Sequence, residues 1–334
     1  MDIDSSNSNT ACAEVHDAPA PFNKPTADVI LRTSDRWDFR VRRAILSEAS
    51  PVFEGMFDMP QPTPSADNTA DFKDGLPIVA LQEDRRTLYR LLSVCYPVPN
   101  APLDTIEALL PVLEAPFKYL MEGVTLVVRE DLRRLAKRYP LRVYCLAIQY
   151  SFLQIAEEAA RATLDFPRRD IYSSIPSVPE LTRVDGKTPL YLLYYHQSCS
   201  DALSTLKHSI PFLTIDWVWF HCRTCTQADY RMRLANGTWE YPMKWWADYL
   251  DDILEVLRET PSSEAVKQEN ARCLEKAIRG AAGCATCQQH AAVHMHCFTE
   301  RLWPLIDIEV SKVKLAYFLS RDVKLAAAHA GRLE

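Results

Sequence analysis

Residues Ala27-Asp28-Val29-Ile30-Leu31-Arg32-Thr33-Ser34-Asp35, followed by Phe39-Arg40-Val41 and Ile45-Leu46-Ser47-Glu48-Ala49-Ser50-Pro51-Val52-Phe53, decide the fold of this chain. Two short apolar runs, 29–31 and 39–41, flank the polar pair Ser34-Asp35, which is the pattern of a β-hairpin. The hydrophobic period then changes from two to about 3.6, with Ile45, Leu46, Ala49, Val52, Phe53 and Met56 on one helical face. Ser50 is placed to cap a second helix and Pro51 to occupy its first position.

This segment resembles the opening of a BTB/POZ domain. Asp28, Phe39, Val41, Leu46, Ser50 and Phe53 match that family's pattern, and Arg42-Arg43 stand where the family usually has His-Lys. Residues 45–51 and the run Lys118-Tyr119-Leu120-Met121 resemble the fungal type of BTB protein in particular. The resemblance implies an α+β fold, a small mixed sheet with helices over residues 26–125, followed by a mainly α-helical C-terminal region. It also implies a non-enzymatic adaptor that binds proteins, with Asp28 and Arg43 as a charged pair near a homodimer interface. Docking to a cullin-type ubiquitin ligase as a substrate adaptor is a further implication, the C-terminal region then choosing substrates.

A chain of 334 residues suggests two domains, and 48% hydrophobic with 25% charged residues is the composition of a globular protein. The net charge of −6 disfavours a large phosphate-binding surface, so nucleic acid is a disfavoured partner. No secretory signal and no long apolar run are visible, so no membrane is expected. Ten cysteines without a signal read as thiols or metal ligands, placing the protein inside the cell, in cytoplasm or nucleus.

Residues 1–25 offer almost no large apolar groups and are expected to be a disordered tail. Residues 59–75, with Pro60, Pro62 and Pro64, read as a loop before a strand at 78–81. A helix carrying Leu88, Leu91, Leu92 and Cys95 should end at Tyr96-Pro97. Leu103, Ile106, Leu109, Leu110, Leu113, Phe117 and Leu120 form an apolar stripe at helical spacing, which Pro111 and Pro116 should break. A helical extension follows over 126–165, with a boundary at Pro140. The C-terminal region, 166–334, opens on a proline-rich break at 166–179. Helices are expected over 190–195 (buried), 263–279 and 288–320, the last interrupted at Pro304.

The sharpest chemical signal is a pair of Cys-x-x-Cys motifs, Cys222 with Cys225 and Cys284 with Cys287. Thiolates at i and i+3 can grip one ion, and two such pairs complete a closed four-sulfur site, which points to one structural zinc ion. Buried unrelated thiols and a redox pair are the alternatives, and the second lacks the βαβ setting of a thioredoxin-like motif. His290 and His294 stand at i and i+4, but Ala291 occupies the position where a zinc protease needs Glu. Trp239, Tyr241, Trp245, Trp246 and Tyr249 form an aromatic block, read as core. No phosphate loop, nucleophile elbow or dinucleotide fingerprint occurs, so no catalytic residue and no small-molecule substrate are assigned. The rival to the adaptor is a transcriptional or chromatin regulator whose cysteine region contacts nucleic acid. Asp229, Glu240, Asp248, Asp251 and Asp252 near that region weigh against it.

Overall fold

The computed structural model describes residues 14–59, 71–99 and 101–315. The chain divides into two compact units, Met1–Leu135 and Ala136–Glu334.

The first unit is built on five strands: β1 (His16–Asp17), β2 (Val29–Arg32), β3 (Trp37–Val41), β4 (Phe72–Lys73) and β5 (Leu76–Ala80). Their order in the sheet is β1-β3-β2-β5-β4. The expected hairpin is the antiparallel pair β2–β3, in which Leu31 faces Phe39 and Val29 faces Val41. Its turn closes where Arg36 N–H donates to Thr33 O at 3.0 Å, and Arg36 takes a left-handed φ of 61°. Thr33 Oγ1 accepts from Trp37 N–H at 2.9 Å and pins the exit of the turn.

Among the described residues, α1 (Arg43–Ala49) and α2 (Pro51–Asp58) lie between β3 and β4, and α3 (Arg85–Cys95), α4 (Ile106–Lys118) and α5 (Glu122–Leu135) come after β5. Ser50 caps α2 by accepting from Phe53 N–H at 3.1 Å, with Pro51 at the first position, as its sequence context predicts. Val29, Ile30, Leu31, Phe39, Leu46, Phe53, Leu88 and Leu91 make the buried centre of this unit.

Several expectations for this unit need correction. Residues 14–25 are folded rather than a tail: β1 pairs in parallel with β3, and Phe22 is fully buried against Phe39, Tyr89 and Tyr96. One aromatic side chain with a waiting pocket outweighs a polar local composition; residues 1–13 lie outside the described residues. Helix α4 runs unbroken through Pro111 and Pro116. Each proline removes one backbone donor, while burial of Leu109, Val112, Leu113, Ala115 and Pro116 holds the turn. The stripe, however, ends before Phe117 and Leu120, which are exposed. The loop expected at 59–75 contains β4, and residues 60–70 lie outside the described residues. A boundary at residue 125 would cut through α5.

The second unit is helical: α6 (Pro140–Gln149), α7 (Leu153–Thr163), α8 (Arg168–Ser174), α9 (Lys187–Ser204), α10 (Val218–His221), α11 (Lys244–Glu259), α12 (Ser263–Ala281) and α13 (Ala285–Lys312). A short hairpin, β6 (Met232–Arg233) and β7 (Trp239–Glu240), turns at Gly237, whose φ of 87° suits glycine. Pro140 opens α6 as expected. The proline-rich segment 166–179 is mostly helical instead of a break, because Pro167 sits at the N-cap of α8, where no donor is lost. Helix α9 is longer than residues 190–195 and amphipathic: Leu192, Leu193 and Tyr195 are buried, Leu190 and Tyr194 exposed. Helix α13 starts at Ala285 and passes through Pro304 without interruption, with Leu302, Leu305 and Ile306 buried on either side. It ends at Lys312, where Val313 turns extended, short of the expected end at residue 320; residues beyond 315 lie outside the described residues.

Candidate functional site

Two chain segments 62 positions apart meet in the second unit. The first leaves α10 at Cys222, its C-terminal cap; the second enters α13 at Cys284, its N-terminal cap. An aromatic stack brings them together. Trp217 and Trp219 stack at 4.9 Å, Trp219 and Trp246 stack at 4.9 Å, and Phe298 of α13 meets Trp246 edge-on at 5.4 Å. Val218 N–H donates to His294 Nδ1 at 3.0 Å, a direct tie from α10 to α13. Beyond the first cysteine pair, Lys244 N–H donates to Thr226 O at 2.8 Å and anchors the loop to the start of α11.

The result is a cluster of four sulfurs. Cys222, Cys225, Cys284 and Cys287 place their Sγ atoms within 4.8 Å of one another. Cys222 and Cys284 stand 3.6 Å apart, as do Cys225 and Cys287, each contact joining one segment to the other. Zinc–sulfur bonds near 2.3 Å give a tetrahedron whose edges are about 3.5–4 Å. The donor set and its spacing therefore fit one tetrahedral ion. Among the described residues, this is the group of cysteine, histidine and acidic side chains able to hold a metal ion.

Its electrostatics favour ionised sulfur on two members. The Cys284 thiol is lowered to about 6 by a hydrogen bond with Thr224, whose Oγ1 lies 3.0 Å away, and by a backbone hydrogen bond from Cys287. Cys222 is raised by burial, but hydrogen bonds with the Thr224 hydroxyl and with the backbone of Thr224 and Cys225 outweigh it and leave the thiol lowered. Burial pushes Cys225 up to about 11 and also raises Cys287. Four thiolates this close repel one another, and a divalent cation is what allows all four to ionise together. Thiols away from the cluster behave differently: burial, the largest influence on each, pushes Cys145 and Cys199 up to about 12.

His290 and His294 lie with ring centroids 5.9 Å apart, but His294 is engaged by Val218, and neither belongs to the metal-capable group. The aromatic block divides: Trp245, Trp246 and Tyr249 are buried on α11, whereas Trp239 and Tyr241 are exposed. The nearby Lys207, Lys244 and Lys276 are paired with Asp251, Asp248 and Asp252. Thr224, inside the first motif, was invisible to motif spacing; its hydroxyl is the only cue the sequence carried.

In the first unit, Asp28 and Arg43 do meet, though not side chain to side chain. Asp28 Oδ1 accepts from the backbone N–H of Arg43 at 2.7 Å, in the first turn of α1. Tyr96 Oη accepts from Arg42 N–H at 2.9 Å, so two side chains from other elements cap α1. The Arg43 guanidinium lies over the Phe57 ring, 5.6 Å from its centroid. A groove of about 950 Å³ opens beside this region, with Pro51, Val94, Phe117, Leu120 and Leu126 in its lining.

Residues 21–135 match the family model of the BTB/POZ domain, so the chain carries that domain over β2 to β5 and helices α1 to α5. No curated protein matches the chain. No helix among the described residues is long and apolar enough to cross a membrane.

Proposed function

We propose that this BTB/POZ-domain protein is a non-enzymatic adaptor that joins other proteins, using the BTB unit for assembly and the helical unit for choosing what it recruits. The BTB match over 21–135 carries this reading, since such domains serve protein–protein interaction. The exposure of Phe117, Leu120 and Leu126 around one groove supports it, because grouped apolar side chains on a surface mark interaction sites. In its finer form, the BTB unit self-associates near Asp28 and Arg43 and docks a cullin-type ligase scaffold. One structural zinc ion held by Cys222, Cys225, Cys284 and Cys287 keeps the helical unit together.

Affinity capture of the intact protein, compared with a Phe117→Asp, Leu120→Asp variant, tests the adaptor. Partners that are recovered with the parent and lost with the variant uphold it; an identical recovery from both removes the groove from the reading. Light scattering at micromolar concentration tests self-association, and a monomer would end that part alone. Elemental analysis should find about one zinc per chain, lost in a Cys225→Ser, Cys287→Ser variant.

A further inference from the structure

The four sulfurs of the cluster are unequally placed. Cys287 is wholly buried in the first turn of α13, whereas Cys225 and Cys284 are half-buried. Cys225 and Cys284 line a cleft of about 770 Å³ together with Thr224 and Thr286. Cys222 and Cys225 line a second cleft of about 520 Å³ with His221, Arg223 and Gln227. Small polar solutes therefore reach sulfur from two sides, and only Cys287 has no part in either cleft.

The two cross-segment pairs differ in the same sense. Cys222 and Cys284 stand 3.6 Å apart, as do Cys225 and Cys287. Cys222 caps the end of α10 and Cys284 the start of α13, both with extended backbone at the edge of a helix. An S–S bond of about 2.05 Å asks this pair to close by roughly 1.5 Å, which helix-end residues can supply more easily than Cys287 inside its helix. Thr224 Oγ1 lies 3.0 Å from Cys284 Sγ and 3.4 Å from Cys222 Sγ, so one hydroxyl touches both members of the pair at the first cleft.

We propose that Cys284 and Cys222 are a peroxide-oxidised pair: hydrogen peroxide entering the cleft joins them in a disulfide, and the centre, left with two sulfurs, releases its metal. The release rests on the reading of the cluster as a metal site. The Cys284 thiolate attacks one peroxide oxygen; an S–O bond forms, the O–O bond breaks, and hydroxide leaves, taking a proton from solvent to become water. The Cys222 thiolate then attacks the sulfenic sulfur of Cys284. The S–S bond forms, the S–O bond breaks, and a second hydroxide leaves as water. Two thiolates give up two electrons and one peroxide takes them up. The Thr224 hydroxyl is placed to donate to the departing oxygen. The disulfide keeps α10 tied to α13, while Cys225 and its loop lose their anchor.

The test uses the full-length protein loaded with Zn²⁺ and treated with one equivalent of hydrogen peroxide at neutral pH. A chromogenic chelator reads released zinc, and mass spectrometry after alkylation of free thiols maps the disulfides. About one zinc per chain should be released, with Cys222 joined to Cys284 and with Cys225 and Cys287 alkylated. Cys297, exposed on the same helix, is the internal reference and should remain reduced. A thiol reductant with added Zn²⁺ should restore the starting state. Thr224→Val, which keeps the shape and removes the hydroxyl, should slow release about tenfold, the factor carried by one lost hydrogen bond; an unchanged rate would overturn the part given to Thr224. A Cys225–Cys287 disulfide forming first, or oxidation of Cys297 with the zinc retained, would overturn the proposal. A protein that takes up no zinc would end the metal reading and the release with it. The disulfide map of that same sample then decides the pair: Cys222–Cys284 upholds it and any other pairing overturns it.

Discussion

Asp38 is wholly buried in β3, yet it carries a charge. Its carboxylate accepts from Arg32 Nε at 2.7 Å and Nη2 at 3.0 Å, and from Lys73 Nζ at 2.9 Å. Burial by itself would raise the carboxyl; the hydrogen bonds and charges of Arg32 and Lys73 outweigh it and hold the group below its ordinary range. Lys73 also reaches Asp17 at 2.8 Å, so one lysine on β4 fastens both β1 and β3. A carboxyl lowered by folding contributes stability above its unfolded value of about 3.9, and that stability is lost as pH falls through the folded value. The urea midpoint of the BTB unit should therefore drop between about pH 5 and pH 3. Asp38→Asn should flatten that decline and cost about 3 kcal/mol at neutral pH, because it leaves Arg32 and Lys73 without their shared partner. An unchanged pH profile in the variant would show that other carboxylates govern the acid limit.

At the scale of elements, the N-terminal segment shows where local sequence stops being informative. β1 is two residues long and has no hydrophobic alternation; it exists because β3 presents an unpaired edge and Phe22 has a pocket among Phe39, Tyr89 and Tyr96. Phe22→Ala should therefore cost about 3–5 kcal/mol, read as a lowered melting temperature, although its neighbours in sequence look like a tail. A loss under 1 kcal/mol would mean the segment is only loosely seated. A second tie is equally hidden: Arg90 of α3 and Asp131 of α5 form an ion pair with both side chains buried. Asp131→Ala should destabilise the unit by about 3–5 kcal/mol in denaturant titration, more than any exposed pair such as Arg272–Glu269 could. The hairpin, Ser50-Pro51 and the cysteine quartet were legible because each is specified within a few residues or by fixed motif spacing. The continuity of α4 and α13 through prolines was not, since burial against other helices decides whether a lost donor matters. The fit of Gly280 of α12 against Trp245 of α11 was illegible for the same reason: a Cβ at 280 would come 3.0 Å from Trp245 Cβ, a closeness of two helices that no pattern within either helix encodes.

For the whole molecule, the division after Leu135 separates two sources of stability. The BTB unit depends on a sheet with buried charge and apolar contacts. In the helical unit, α10 and α13 are held by the aromatic stack, the Val218–His294 hydrogen bond and the sulfur cluster. A metal bound by four cysteines that are apart in sequence closes a long loop, and the cost of that closure grows only slowly with its length. Binding energies of roughly 10–16 kcal/mol in small zinc modules are large enough to offset it. On the proposed reading of the cluster, treatment with a strong chelator should therefore loosen the second unit from this point outward. Hydrogen exchange of the intact protein should rise first at residues 222–227 and in the opening turns of α13, then in α10, while residues 29–32 and 37–41 keep their protection. Restoring zinc should reverse the change. If exchange rises uniformly in both units, the metal acts on the chain as a whole and not as a clasp within the helical unit. If chelation changes nothing anywhere, Trp217, Trp219, Trp246 and Phe298 hold the two segments unaided and the four cysteines are buried thiols.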